Sequence, residues 1–189
     1  MTESPSRLSF DLDQSPFFCD GHGYLIMSSS LAGCTIAEFC QAHYRGNERD
    51  RKALVRRGVY VPLLFDGDCM LDNALIVFGD LTPEEANSAI KAFTWKLNIP
   101  CGHLVISAEG GEDEYIYQAV QNQRQKNYQV FEWVDVSPGE YLMELYATPD
   151  RFILRFSPLT EPPPMPPMED GWIDVPNLGY FFEDEDDDY

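Results

Sequence analysis

Four side chains near the start of the chain have the right chemistry for a soft metal ion. Cys19 and His22 are separated by two residues, and so are Cys40 and His43, with 17 residues between the pairs. Thiolate and imidazole suit tetrahedral zinc. On a helix, Cys40 and His43 would share one face. The pattern differs from a zinc finger, whose first pair is two cysteines. The plainer expectation puts His22 in a turn between Gly21 and Gly23, packs Cys40 and His43 against the core, and requires no metal or cofactor. A small zinc-binding or Cys/His enzymatic domain built on these four residues is the alternative.

Nucleophilic catalysis needs a hydroxyl or thiol beside a base. The chain has five cysteines and three histidines. It has no Gly-x-Ser-x-Gly elbow and no recognisable cysteine-protease context. The cysteine count is odd and the spacing irregular, so reduced, mostly buried thiols are expected. The chain is therefore expected not to be an enzyme. Glu109, Glu112, Asp113 and Glu114 crowd one short stretch. Calcium would want several such oxygens, but the EF-hand spacing is missing. A hydrated hairpin tip or a patch for a basic partner remains.

Charge is the strongest signal. The 189 residues carry 32 Asp and Glu against 13 Lys and Arg, a net charge of −19. Ten of the acids lie in residues 158–189, which contain no Lys or Arg. Such a field repels nucleic acid and anionic membranes, so neither is an expected partner. It speeds encounter with a basic protein. With 44% hydrophobic and 13% aromatic residues, the body can still bury a core. The first residues are polar, and no run approaches the roughly 20 apolar residues of a membrane helix. The expected compartment is the cytosol.

The positioning elements follow from periodicity. Leu8, Phe10 and Leu12 alternate, and Tyr24 to Met27 forms a second strand. Thr35 and Glu38 make a capping box for a helix from about Ile36 to Arg45. Arg45, Arg49, Arg51, Lys52, Arg56 and Arg57 then form the one basic cluster. It reads as a solvated connector, or as a clamp for a phosphate or for an acidic segment such as the chain's own tail. Strands follow at Val59 to Phe65, with Pro62 marking an edge or bulge, and at Ala74 to Phe78. Thr82 to Glu85 is a second capping box. Further strands are expected at Phe93 to Ile99, Leu104 to Ala108, Tyr115 to Val120, Tyr128 to Val136, Tyr141 to Ala147 and Phe152 to Phe156.

Short strands joined by Pro/Gly turns define a mainly β fold: an antiparallel β-sandwich or open barrel with one or two short helices and an acidic C-terminal tail. The body spans 1–157. The tail spans 158–189, opening with the Pro-rich spacer Glu161 to Pro167 and closing with aromatics and acids.

The segment from Phe93 to Asp150 resembles the competence protein J family. The likeness lies in the strand Phe93 to Pro100, the following Gly102 to Ser107, and Phe131 to Tyr146, where a strand enters Pro138-Gly139-Glu140-Tyr141 and a second strand leaves it. Leu8-Ser9-Phe10 matches the family's first strand. Members are small cytosolic inhibitors of a partner nuclease. The resemblance implies a β-sandwich and a nuclease as partner, and carries over no contact residues.

These readings converge on a non-catalytic binding protein: an immunity protein or inhibitor of a basic partner such as a nuclease toxin. The expected partner-binding residues are Glu109, Glu112, Asp113 and Glu114, with Trp172, Tyr180, Phe181, Asp184, Glu185, Asp186, Asp187 and Asp188 of the tail. Aromatic side chains would anchor and carboxylates would steer. A third reading, an adaptor offering Pro162 to Pro167 to a Pro-recognising domain, lacks an adjacent Arg or Lys.

Overall fold

A computed structural model describes residues 7–19, 21–125 and 129–176. Their strands form two sheets of five. The first runs in the order β1 (Leu8–Asp11), β4 (Leu75–Phe78), β9 (Phe152–Pro158), β8 (Gly139–Ala147), β5 (Ile90–Ile99). The second runs β10 (Ile173–Val175), β3 (Tyr60–Phe65), β2 (Gly23–Ser28), β6 (His103–Ala108), β7 (Phe131–Asp135). The fold is thus a mainly β sandwich. Neighbours are antiparallel except β4 with β9 and β10 with β3, which are parallel, so both sheets are mixed.

Alternation assigns the faces of the second sheet. Phe65 stacks edge-on against Phe152 of β9 at 5.1 Å, so Val61, Leu63 and Phe65 face the other sheet. Tyr60 points the opposite way and meets Phe39 at 5.0 Å. Phe39 belongs to the first of the short helices that cover that outer face: α1 (Ile36–Cys40), α2 (Glu48–Arg56) and α4 (Asp113–Val120). A further short helix, α3 (Pro83–Ser88), precedes β5. With both faces covered, β2 is buried from Tyr24 to Ser28.

Local chemistry explains the helices. Thr35 with Glu38 and Thr82 with Glu85 form the expected capping boxes, and α1 runs on through a π turn to Arg45. The basic stretch is not a connector. Asn47 and Asp50 cap it reciprocally, and it winds into α2, with Leu54 and Val55 buried and the charges outside. The strand expected at Tyr115 to Val120 is also corrected, because these residues belong to α4. Ile116 and Ala119, three apart, are the buried pair, and the Trp133 indole donates to the Ala119 carbonyl. A six-residue alternation of Tyr, Ile, Tyr, Gln, Ala and Val satisfies a period of two and a spacing of three equally well.

The chain beyond Pro158 returns to the body. Met165 and Met168 pack on the core. Glu169 and Trp172 then exchange backbone hydrogen bonds of 3.0 and 2.8 Å around Asp170 and Gly171, both at positive φ (48° and 86°). An Asp-Gly pair is what such a two-residue turn favours. At Gly171 a Cβ would sit 2.4 Å from Arg51 Cδ, so glycine is required there twice over. Arg51 of α2 donates to the Asp170 carbonyl at 2.5 Å and to the His43 carbonyl at 2.9 Å. Of the basic cluster, Arg51 thereby holds the start of the returning segment, through a backbone carbonyl rather than a carboxylate. Strand β10 follows on the β3 edge, with Ile173 and Val175 in the core. Phe65 N–H donates to the His22 carbonyl on the β2 side, so the nitrogen of Pro62 faces the β10 side. Pairing with β10 begins one residue later, at Leu63, where no donor is missing.

Candidate functional site: an acidic loop end

Register gathers the acidic loops. Gly23 pairs with Leu64, Tyr24 with Ala108 and Val175 with Phe65. The start of β2 and the ends of β3, β6 and β10 therefore share one end of the second sheet. From that end emerge the segment leading into β2, the turn after β3 with Asp66, Asp68 and Asp72, and the loop after β6 with Glu109 and Glu112. Strand β10 also ends there, at Val175. Tyr180, Phe181, Asp184, Glu185, Asp186, Asp187 and Asp188 lie outside the described residues.

Two grooves cross this end. One, of about 570 Å³, is bounded by Asp13, Ser15, Phe18, Asp68, Cys69 and Asp72. The other, of about 540 Å³, is bounded by Phe18, Cys19, Glu109, Gly110, Tyr115 and Val130. Phe18 is the ridge between them and is 49% exposed, whereas Phe17 beside it is 5% exposed. The ridge is fixed by its backbone. Phe18 N–H donates to the Gln129 carbonyl at 2.8 Å, and Cys19 N–H donates to Asp72 Oδ2 at 3.1 Å.

Asp72 also accepts from the Tyr24 hydroxyl at 3.2 Å, and burial still raises its carboxyl above the ordinary range. Burial, with Asp72 and Cys69 nearby, pushes the Cys19 thiol up to about 12. Cys69 has a left-handed backbone (φ 58°), and its thiol donates to the Cys19 carbonyl at 2.9 Å.

Glu109 sits where three elements meet. Its N–H donates to the Gly23 carbonyl at 2.9 Å, and its Oε1 accepts from Gly111 N–H at 2.8 Å. The same oxygen lies 4.0 Å from His43 Nε2. The position of a Cβ on Gly23 is 3.1 Å from Glu109 Cβ and 3.3 Å from the Trp172 ring, so Glu109 and Trp172 flank Gly23 together. Trp172 also meets His43 edge-on at 5.7 Å, which seats it against the body. Asp113 is held by Arg45 at 2.7 Å, which keeps its carboxyl below the usual range. Glu114 accepts from Gln118 at 3.2 Å, and Glu112 occupies the N-cap position of α4 without a capping hydrogen bond from its side chain.

The zinc quartet does not converge. His22 pairs with Asp68 at 3.1 Å in solvent. Cys40 neighbours Asp113, and burial raises its thiol to about 11. His43 shares a 3.0 Å hydrogen bond between Nδ1 and the Tyr60 hydroxyl, and burial lowers it to about 4. Among the described residues no three His, Cys, Asp or Glu side chains are grouped to hold a metal ion.

Sequence reasoning missed Phe18, Asp13, Asp68 and Asp72. The signal available was the Phe17-Phe18 pair, since two adjacent residues of an extended segment point to opposite sides and one must face out.

This architecture is that of a two-sheet β-sandwich with one sheet covered by helices. No family model matches the chain, and no curated protein matches it. A similar solved structure is that of ComJ, inhibitor of the DNA degrading activity of NucA, from Bacillus subtilis. It has a TM-score of 0.40 and 11% sequence identity, and the match covers 84% of this chain and 99% of that one. Among the described residues no helix is long and apolar enough to cross a membrane.

Proposed function

We propose that this chain is a non-catalytic binding protein that grips a cationic protein through the loop end of its helix-covered sheet. An inhibitor or immunity protein acting on a nuclease or toxin would work this way. Nucleases bind phosphate with basic surfaces, and an array of carboxylates can occupy the same surface. The observation that supports the reading is the gathering of Asp13, Asp68, Asp72 and Glu109 along the two grooves beside the exposed Phe18, with Glu112, Asp113 and Glu114 following in the same loop as Glu109. The six acids from Glu183 to Asp188, which lie outside the described residues, are included in the binding surface on the strength of their charge. Glu109 to Glu114 and the tail acids steer the encounter, and the aromatic side chains contribute contact area.

The test is a pull-down at low and high salt, comparing the full chain with a chain ended at Pro176. A basic protein should be retained at about 50 mM salt and released near 500 mM, with weaker retention by the shortened chain. Retained proteins with no excess of basic members, or retention indifferent to salt, would remove the reading.

A further inference from the structure

We propose that the groove between Phe18 and the turn after β3 receives an arginine side chain of the protein partner, with the guanidinium laid against the Phe18 ring and its N–H groups directed at Asp68 and Asp13. The inference rests on the function proposed above and assigns it an anchor point.

Three observations lead there. A half-exposed aromatic ring on a ridge between two open grooves is an unusual placement, because Phe17 next to it is buried and the ridge backbone is fixed at both Phe18 N–H and Cys19 N–H. A side chain held this way needs little further ordering on binding. The first groove is lined by the carboxylates Asp13, Asp68 and Asp72 together with the Phe18 ring, and no Lys or Arg lines it. Asp68 pairs with His22 at 3.1 Å in solvent, an exchangeable contact that an arginine would replace. An aromatic face attracts a cation, and the carboxylates offer oxygen acceptors. The guanidinium is planar, stacks on rings and donates from a rigid fork, so it meets both kinds of lining at once. A lysine ammonium is a hydrated point charge and meets one less well. The second groove, across the ridge, is bounded by Ala108, Tyr115 and Val130 and suits the apolar residue next to that arginine.

The test titrates the full-length, isotope-labelled protein with N-acetyl-arginine amide and follows the backbone amide shifts. N-acetyl-citrulline amide serves as the uncharged isostere and N-acetyl-lysine amide as the alternative cation. Saturable shifts should centre on Phe18, Cys69 and Met70, with dissociation in the millimolar range expected of one side chain. Citrulline should give none, and lysine should bind more weakly. Phe18→Ala should weaken the arginine probe about three- to five-fold. Asp68→Asn, a change at an exposed carboxylate that leaves the core untouched, should weaken it as well. Equal shifts from citrulline, shifts that rise linearly and spread over all acidic loops, or unchanged affinity in both variants would overturn the arginine site. If that happens while a basic protein is still captured in a salt-dependent way, the wider function stands without this anchor. Loss of that capture removes the wider function itself.

Discussion

The returning segment carries more of the fold than its composition suggests, and Ile173→Ala measures how much. Ile173 is 2% exposed in the main core and is the first residue of β10, opposite Leu63. Truncating a buried isoleucine removes its transfer free energy and leaves a cavity, together about 2–4 kcal/mol. For a domain of this size each kcal/mol lowers Tm by about 2–4 °C, so a fall of about 5–15 °C is expected. Thermal melts by circular dichroism, with a urea titration for the midpoint, provide the assay. An unchanged m-value would place the loss in stability rather than in a change of mechanism. A chain ended at Pro176 keeps β10 and should melt within about 2 °C of the full chain, while one ended at Ser157 should fall at least as far as the substitution. A Tm for Ile173→Ala within about 1 °C of the parent would refute the docking of β10.

Other consequences are independent of the partner. Cys101 is partly buried, which alone would raise its thiol, but the hydroxyls of Ser28, Ser29 and Ser30 outweigh burial and bring it to about 6. Alkylation of Cys101 by iodoacetamide should therefore have a pH midpoint near 6 that moves upward in Ser29→Ala, and a midpoint above about 8 would contradict the serine cradle. His43 titrates near 4 when folded, below its ordinary value of 6.5, because burial and then Arg51 disfavour its charged form. The unfolded chain thus binds more protons between those values. Stability is complete above pH 6.5 and is lost as pH falls toward 4, by about 3 kcal/mol. A Tm–pH curve for His43→Gln should be flatter by that amount over this window, and superimposable curves would exclude the effect. Glu144 is almost fully buried on β8. Burial opposes its charge, but Lys91 and Arg155 hold its carboxyl below the ordinary range. Arg155→Met leaves that carboxylate half-satisfied and should cost about 3 kcal/mol in urea unfolding, a loss that Glu144→Gln in the same chain should partly restore.

Sequence pattern located the strands from β1 to β9, by alternation where one face of the pleat is less buried and by an unbroken apolar run for β4. Capping boxes located α1 and α3 for an equally local reason. What escaped was decided by distant partners. In α2 the only apolar residues are Ala53, Leu54 and Val55, too few to mark a face until the sheet beneath is known. The helix α4 has a pattern that fits either period. Strand β10 is three residues long and pairs in parallel with a strand more than a hundred residues earlier, a contact no local rule can suggest. The Asp170-Gly171 turn before it was a readable signal, but the whole of 158–189 was read as a tail and no strand was assigned within it. At the site, the acids from Glu109 to Glu114 stood out as a run. Asp68 and Asp72 looked like ordinary turn residues until register set them beside Phe18.

The most direct test of the acidic end compares two sets of substitutions with equal loss of charge. One set, Glu109→Gln, Glu112→Gln and Asp68→Asn, neutralises the loop end. The other, Asp135→Asn, Glu140→Gln and Glu84→Gln, neutralises carboxylates on other elements. Affinity for the captured basic protein is then measured across a salt series. The loop-end set should weaken binding at least ten-fold at low salt and flatten its salt dependence, while the other set should change affinity less than about two-fold. Equal effects from both sets would mean that net charge alone attracts the partner, and the loop end would lose its claim as the binding surface.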